Sequence, residues 1–156
     1  MKYNRAMAFE PRVVEARLAL NLISSTEMPR LAWEALDAGL DGPAIRRLAA
    51  FESPTCFQVQ ELLPQVMEEM RLARLDKVEA ALQLAKLRAQ EIVAANLDPF
   101  KHLRDFEHLW IEADYCRELQ DYGNLNDDVF VARSMGEPDQ EIRAWIMERL
   151  KTLAAA

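Results

Sequence analysis

The chain has 156 residues, of which 51% are hydrophobic, a formal net charge of −7 and two cysteines, Cys56 and Cys116. A chain of this length can bury roughly 68–70% of its unfolded surface, so a core without disulfide or metal staples is expected. No apolar stretch approaches the about 18 residues of a membrane span, and no signal sequence follows Lys2 and Arg5. We therefore expect a cytoplasmic protein with no membrane partner.

Proline and glycine mark the ends of most predicted elements. Six of the seven prolines stand at or just before apolar runs with helical spacing: Pro11, Pro29, Pro43, Pro54, Pro99 and Pro138. Proline suits the first helical turn because its missing N–H has no intrahelical partner there. Gly39 and Gly136 follow such runs, where a left-handed residue ends a helix. This pattern predicts an all-α fold, a compact bundle of about seven to eight helices.

The first half of the chain contains four short predicted helices, which begin near the first four of these prolines. Trp33 and Leu36 on the second helix are expected to face inward, and the fourth helix runs through Phe57. Pro64 lies inside the fourth pattern. An internal proline removes a hydrogen bond and costs about 3 kcal/mol, so we expect it to kink the helix or, preferably, to split it near Leu63.

Residues 75–96 have the most regular spacing in the chain. Apolar residues advance alternately by three and four positions: Leu75, Val78, Leu82, Ala85, Ala89 and Ile92. Such a seam packs lengthwise against a partner helix, and a helix of this length is about 33 Å long. We predict a long central helix around which the others pack in a single domain, 1–156, with a sub-division near 72–75 left open.

Two further helices and an irregular segment follow. Asp98-Pro99 starts a helix whose aromatic stripe, Phe100, Phe106 and Trp110, is interpreted as core. Residues 116–126 are polar and irregular, with a turn signal at Tyr122-Gly123-Asn124. A short helix over 128–135 and a last amphipathic helix that begins at Pro138 complete the chain.

Negative charge is concentrated in residues 105–141. Residues 1–104 hold 14 acids and 14 bases, whereas 105–141 hold 11 acids and two arginines, a net charge of −9. Such a region repels nucleic acid and anionic lipid and attracts basic surfaces. Solvated helix faces are the alternative interpretation. The acidic surface residues predicted to bind a partner are Asp114, Glu118, Asp121, Asp127, Asp128, Glu137, Asp139 and Glu141.

Residues 128–150 suggest a second function. Ala132, Gly136 and Ile142 have the spacing of the small, turn and buried positions of a helix-turn-helix. A recognition helix must present positive charge to phosphates, yet acids dominate its first turn here. A helical hairpin is therefore the favoured interpretation, and a transcription-associated regulator is the alternative function.

A metal-dependent enzyme is the third hypothesis, with His102, Asp105, His108 and Glu112 as its candidate residues. A ferritin-like di-iron site needs Glu-x-x-His on two helices, and only Asp105-x-x-His108 approaches that pattern. The chain contains neither a G-x-S-x-G elbow nor a glycine-rich phosphate loop. We therefore expect no enzyme activity, no catalytic residue, no metal and no cofactor.

The segment Asn96-Leu97-Asp98-Pro99-Phe100 carries a resemblance that extends over about 89–153. It resembles small all-helical bacterial proteins of unknown function, in which a Leu-Asp-Pro segment connects two helices. The resemblance implies a compact helical domain and no particular activity.

The preferred hypothesis is a non-catalytic protein-binding domain whose acidic surface engages a basic protein partner. An immunity-like or antitoxin-like neutraliser of a basic toxin is one concrete form, and an adaptor is another. We expect no nucleic-acid partner, and a homodimer is left open.

Overall fold

The computed structural model describes residues 9–156, and every regular element in that range is helical. The α-helices are α1 (Pro11–Ala19), α2 (Met28–Asp37), α3 (Pro43–Ala49), α4 (Cys56–Glu69), α5 (Lys77–Ala94), α6 (Leu103–Glu112), α7 (Gln120–Gly123), α8 (Leu125–Ser134) and α9 (Asp139–Ala155). Single 3₁₀ turns lie at Pro99–Lys101 and Arg117–Leu119. Since α7 is one turn long, eight longer α-helices remain in the described range, and the predicted all-α bundle of seven to eight helices is confirmed.

Local backbone chemistry explains several helix ends. Pro11 and Pro43 are the first residues of their helices, and Pro138 directly precedes α9. Gly39 and Gly136 have φ values of 86° and 84°, the left-handed region that glycine adopts without strain. The N–H groups that follow these glycines return to carbonyls inside α2 and α8, as in a Schellman motif.

Helix α4 is continuous, so the split predicted near Leu63 is wrong. Its start is secured by a capping box, in which the Thr55 hydroxyl accepts from the Gln58 N–H at 3.2 Å and the Gln58 side chain accepts from the Thr55 N–H at 2.9 Å. Core residues on both sides of Pro64 explain the continuity, since Val59 and Val66 are buried. Tertiary packing therefore outweighs the local cost of the proline.

The chain divides into two compact units, residues 1–75 and 76–156, of which the first is described from residue 9; the single-domain organisation stays a prediction. The first unit packs α1–α4 around a continuous apolar core. Trp33 does not join it, since it is 57% exposed, and its predicted inward orientation is wrong. Phe57 is also exposed, at 68%. Helix α2 buries Met28, Leu31, Ala32 and Ala35, and Trp33 projects on the opposite side of that helical stripe.

The second unit is organised around α5, the longest helix of the described chain. Helices α9 and α6 pack against it. Its buried face consists mainly of alanine, since Ala80, Ala81, Ala85 and Ala89 are fully buried together with Ile92. The predicted seam is thus buried over Ala85, Ala89 and Ile92, whereas its first half is only partly covered.

The start of α3 is capped by a distant side chain. The Glu69 carboxylate on α4 accepts the N–H of Ala44 at 3.1 Å and the N–H of Ile45 at 2.8 Å. A Cβ atom at Gly42 would overlap the Glu69 side chain, so any other residue there would displace this carboxylate from its capping position. A carboxylate at a helix N-terminus satisfies unpaired donors and complements the helix dipole.

We expect Glu69→Ala to lower the free energy of unfolding by about 1–3 kcal/mol, because two part-buried N–H groups lose their acceptor. Urea unfolding followed by circular dichroism measures the change. Glu68→Ala at the adjacent exposed position is the matched control. Equal effects of the two substitutions would contradict the capping role.

We expect Pro64→Ala to raise the free energy of unfolding by about 1–2 kcal/mol. Alanine restores the missing helical hydrogen bond, and the greater freedom of the unfolded chain offsets part of the gain. The matched control is Pro43→Ala, because Pro43 is also exposed but occupies a first helical position that suits proline. An equal gain at both positions would contradict this account.

Candidate functional site

The eight acidic residues predicted to bind a partner all lie in the second unit, on two stretches of chain. Asp114, Glu118 and Asp121 occupy the segment between α6 and the end of α7. The other five lie on the hairpin formed by α8 and α9: Asp127, Asp128, Glu137, Asp139 and Glu141. The hairpin therefore holds most of the predicted set.

Two ion pairs hold the hairpin together. The Arg133 guanidinium near the end of α8 donates to both Asp139 oxygens at the start of α9, at 2.8 and 3.1 Å. Arg149 on α9 donates to Asp128 at the start of α8, at 3.0 Å. The two pairs thus connect both ends of α8 to α9.

Three of the eight predicted acids form ion pairs, and a fourth accepts a hydrogen bond from a neutral side chain. Lys77 lies 3.3 Å from Asp114, Asp128 and Asp139 have their arginines, and Glu137 accepts the indole N–H of Trp145 at 3.1 Å. Within residues 9–156, the four acids that have neither an ion pair nor a side-chain hydrogen bond are Glu118, Asp121, Asp127 and Glu141. All four are exposed, so the negative charge open to a partner is smaller than the sequence suggests.

Helix α8 exposes an apolar stripe that the sequence analysis missed. Phe130 is 74% exposed, Val131 52% and Met135, which follows the helix, 82%. The opposite face is buried through Leu125, Val129 and Ala132. The buried residues are spaced four and three positions apart, which is visible in the sequence. Phe130 and Val131 fall outside this buried face, and their positions were the signal that could have predicted their exposure.

Two unpaired carboxylates lie close to this stripe in the chain. Asp127 precedes Phe130 by three positions, which places both on one face of α8. Glu141 lies in the first turn of α9, six positions after Met135 in the chain. The rise of a helix separates Asp127 from Met135 by about 12 Å along the axis. We call these residues the α8 surface: Asp127, Phe130, Val131, Met135 and Glu141.

A polar pocket of about 270 Å³ adjoins the α8 surface, with Asp127 and Phe130 in its wall. Arg133, also in the wall, lies 4.7 Å above the centre of the Phe100 ring while it bonds to Asp139. These contacts satisfy the Arg133 guanidinium inside the protein and leave the Asp127 carboxylate unpaired. The pocket is therefore chemically suited to an ammonium or guanidinium group.

The geometry bears differently on the two alternative functions, the helix-turn-helix regulator and the metal-dependent enzyme. Ala132 and Ile142 are buried on either side of the Gly136 turn, as a helix-turn-helix would require, but Arg133 and Arg149 are occupied by aspartates. For the metal hypothesis, residues 9–156 contain no group of three or more potential ligands that could hold an ion. DNA binding stays a prediction, and the metal-dependent enzyme gains no geometric support.

The hydrogen bond from Arg133 lowers the pKa of Asp139 below its ordinary value of 3.8. A carboxyl group whose pKa is lowered on folding stabilises the folded state above its unfolded pKa, and this stabilisation is lost as the pH falls towards the folded pKa. We expect Asp139→Asn to lower the melting temperature at pH 7, with a difference from wild type that shrinks below pH 3.8.

Thermal unfolding over a pH series measures this effect. Glu118→Gln is the control, since Glu118 is exposed and has no ion pair in the described chain. A difference between wild type and Asp139→Asn that is independent of pH would show that the ion pair is not its source.

No helix within the described residues has the length and apolar character needed to cross a membrane. Comparisons of the chain with protein-family models, curated proteins and solved structures found no match. The function is therefore argued from the residues of the α8 surface.

Proposed function

We propose that the chain is a non-catalytic protein-binding domain that engages a basic partner protein through the α8 surface. The observation that carries the proposal is the exposure of Phe130 and Met135 near two exposed carboxylates in the chain, Asp127 and Glu141, which have no cationic partner in the described residues. Large exposed apolar side chains bounded by polar groups are typical of interaction sites. Aromatic residues and methionine are also enriched at the centres of protein interfaces.

The apolar and charged residues have different roles in this proposal. Phe130, Val131 and Met135 would supply most of the affinity, because burying apolar area contributes about 25 cal/mol per Å² whereas an exposed ion pair contributes at most about 1 kcal/mol. Asp127 and Glu141 would orient the partner and accelerate association with a basic surface. A partner segment with an apolar anchor flanked by lysine or arginine fits both requirements.

The pairing of the acids narrows the original hypothesis. Asp114, Asp128 and Asp139 serve the fold through Lys77, Arg149 and Arg133, so we do not assign them to the partner. Glu118 and Asp121 would act through long-range attraction only. A toxin-neutralising or adaptor role, in the cytoplasm, remains the concrete form of the proposal and rests on the sequence.

Selection from a display library of random peptides tests the binding chemistry directly. We expect enriched peptides to combine lysine or arginine with an apolar anchor. Phe130→Ser with Met135→Ser should weaken these peptides at least about tenfold, because two central contacts are lost. Trp33→Ser is the matched control, since Trp33 is a similarly exposed aromatic residue in the other unit.

Asp127→Asn with Glu141→Gln should slow association and reduce its dependence on salt concentration. The reason is that these carboxylates attract a basic partner by an interaction that salt screens beyond about 8–10 Å. Stopped-flow or biosensor kinetics at low and high salt measure both effects. Enrichment of acidic or neutral peptides, or binding that is unchanged in the Phe130 and Met135 variant, would reject the proposal. Retardation of DNA in a low-salt gel shift would favour the helix-turn-helix regulator.

A further inference from the structure

A groove of about 290 Å³ opens on the first unit, away from every residue of the α8 surface in sequence. Helix α1 forms one wall of the groove and α4 forms the other, and Leu75 also lines it. The apolar lining residues are Leu18, Ala19, Leu63, Pro64, Met67 and Leu75. The volume lies near the lower end of the about 300–1,000 Å³ found for small-molecule sites.

Pro64 is an unusual residue for such a wall. It lies in the interior of α4, where proline is unfavourable, and it is exposed, so its burial in the core does not compensate for that cost. Because Pro64 has no N–H, the carbonyl of Gln60, another lining residue, loses its usual helical donor. The proline thus gives the groove an apolar ring and a carbonyl acceptor at the expense of helix stability. Residues that break a folding rule are concentrated at functional sites.

Two charged side chains line the groove, Glu15 and Arg74, and they differ in their hydrogen-bond partners. The Glu15 carboxylate, which lines the groove, accepts the N–H of Ala73 at 3.1 Å, and this bond ties the segment after α4 to α1 and fixes the position of the carboxylate. Arg74 also lines the groove, is exposed, and has no ion pair or hydrogen bond within residues 9–156. An apolar groove with an unpaired guanidinium is complementary to an apolar molecule that ends in an anion.

We propose that this groove binds a small amphipathic carboxylate, a medium-chain fatty acid in its simplest form. The aliphatic chain would lie against Leu18, Leu63 and Met67, and the carboxylate would pair with Arg74. This inference is independent of the proposed protein-binding function, because it uses no residue of the α8 surface.

Titration with octanoate, below its micelle concentration, tests the site by methyl NMR. Octanoate should shift the methyl signals of Leu18, Leu63 and Met67. Octanol should shift the same signals with about fivefold weaker affinity, because it lacks the charge that pairs with the exposed arginine. Octylamine should bind more weakly still, since its charge is repelled.

Arg74→Gln should reduce octanoate affinity about fivefold, to that of octanol, and leave octanol binding unchanged. Arg47→Gln is the matched control, because Arg47 is an exposed arginine of the same unit that lies outside the groove and has no partner in the described chain. Pro64→Ala should raise the unfolding midpoint yet weaken octanoate binding. A loss of binding in a stabilised variant cannot come from unfolding.

Three outcomes would overturn the proposal. The first is no methyl shift at the highest octanoate concentration below micelle formation, and the second is a set of shifts that lies outside the groove. The third is equal loss of affinity in the Arg74 and Arg47 variants. Shifts in the groove on addition of an apolar peptide, without any response to octanoate, would assign it to protein docking and equally reject the carboxylate site.

Discussion

The packing of α9 and α6 on the alanine face of α5 is the contact on which the second unit depends. Ala80, Ala81, Ala85 and Ala89 have no exposed surface, and side chains this small allow neighbouring backbones to approach closely. A larger residue at any of them would over-pack the contact. Helix α9 is thereby held in place, and α8 is fastened to it by two arginine–aspartate pairs. One face of α8 is therefore free to remain exposed.

Several of the acidic residues form ion pairs that stabilise the fold, so their charge is not open to a partner. Lys77 and Arg149, which pair with Asp114 and Asp128, lie outside the acidic region defined from the sequence. A count of charge along a window of the chain could not include them, because folding brings them in from 37 and 21 positions away. Few unpaired carboxylates remain, and two of them, Asp127 and Glu141, lie close in the chain to an exposed apolar stripe. For this reason the partner proposal gives the apolar residues the larger role.

Both proposed sites occur where the chain departs from what folding alone favours. On α8, Phe130 and Met135 expose apolar surface that the core could have used. On α4, Pro64 removes a backbone hydrogen bond from a helix that packing and a capping box stabilise. Such departures are costly, so they are better indicators of function here than the composition or the net charge. The two sites lie in different units and differ in ligand chemistry, with a basic protein proposed for one and an apolar carboxylate for the other.

The sequence by itself determined the helical class and most helix ends, because these depend on local chemistry: proline at a first turn, glycine in the left-handed region, and apolar spacing over one helix face. Only the tertiary structure decided that α4 continues through Pro64, that Trp33 is exposed and that Glu69 caps α3. Each of these outcomes depends on contacts between residues far apart in the chain. A local pattern does not specify which distant atom will supply the missing hydrogen bond, counter-charge or covering surface.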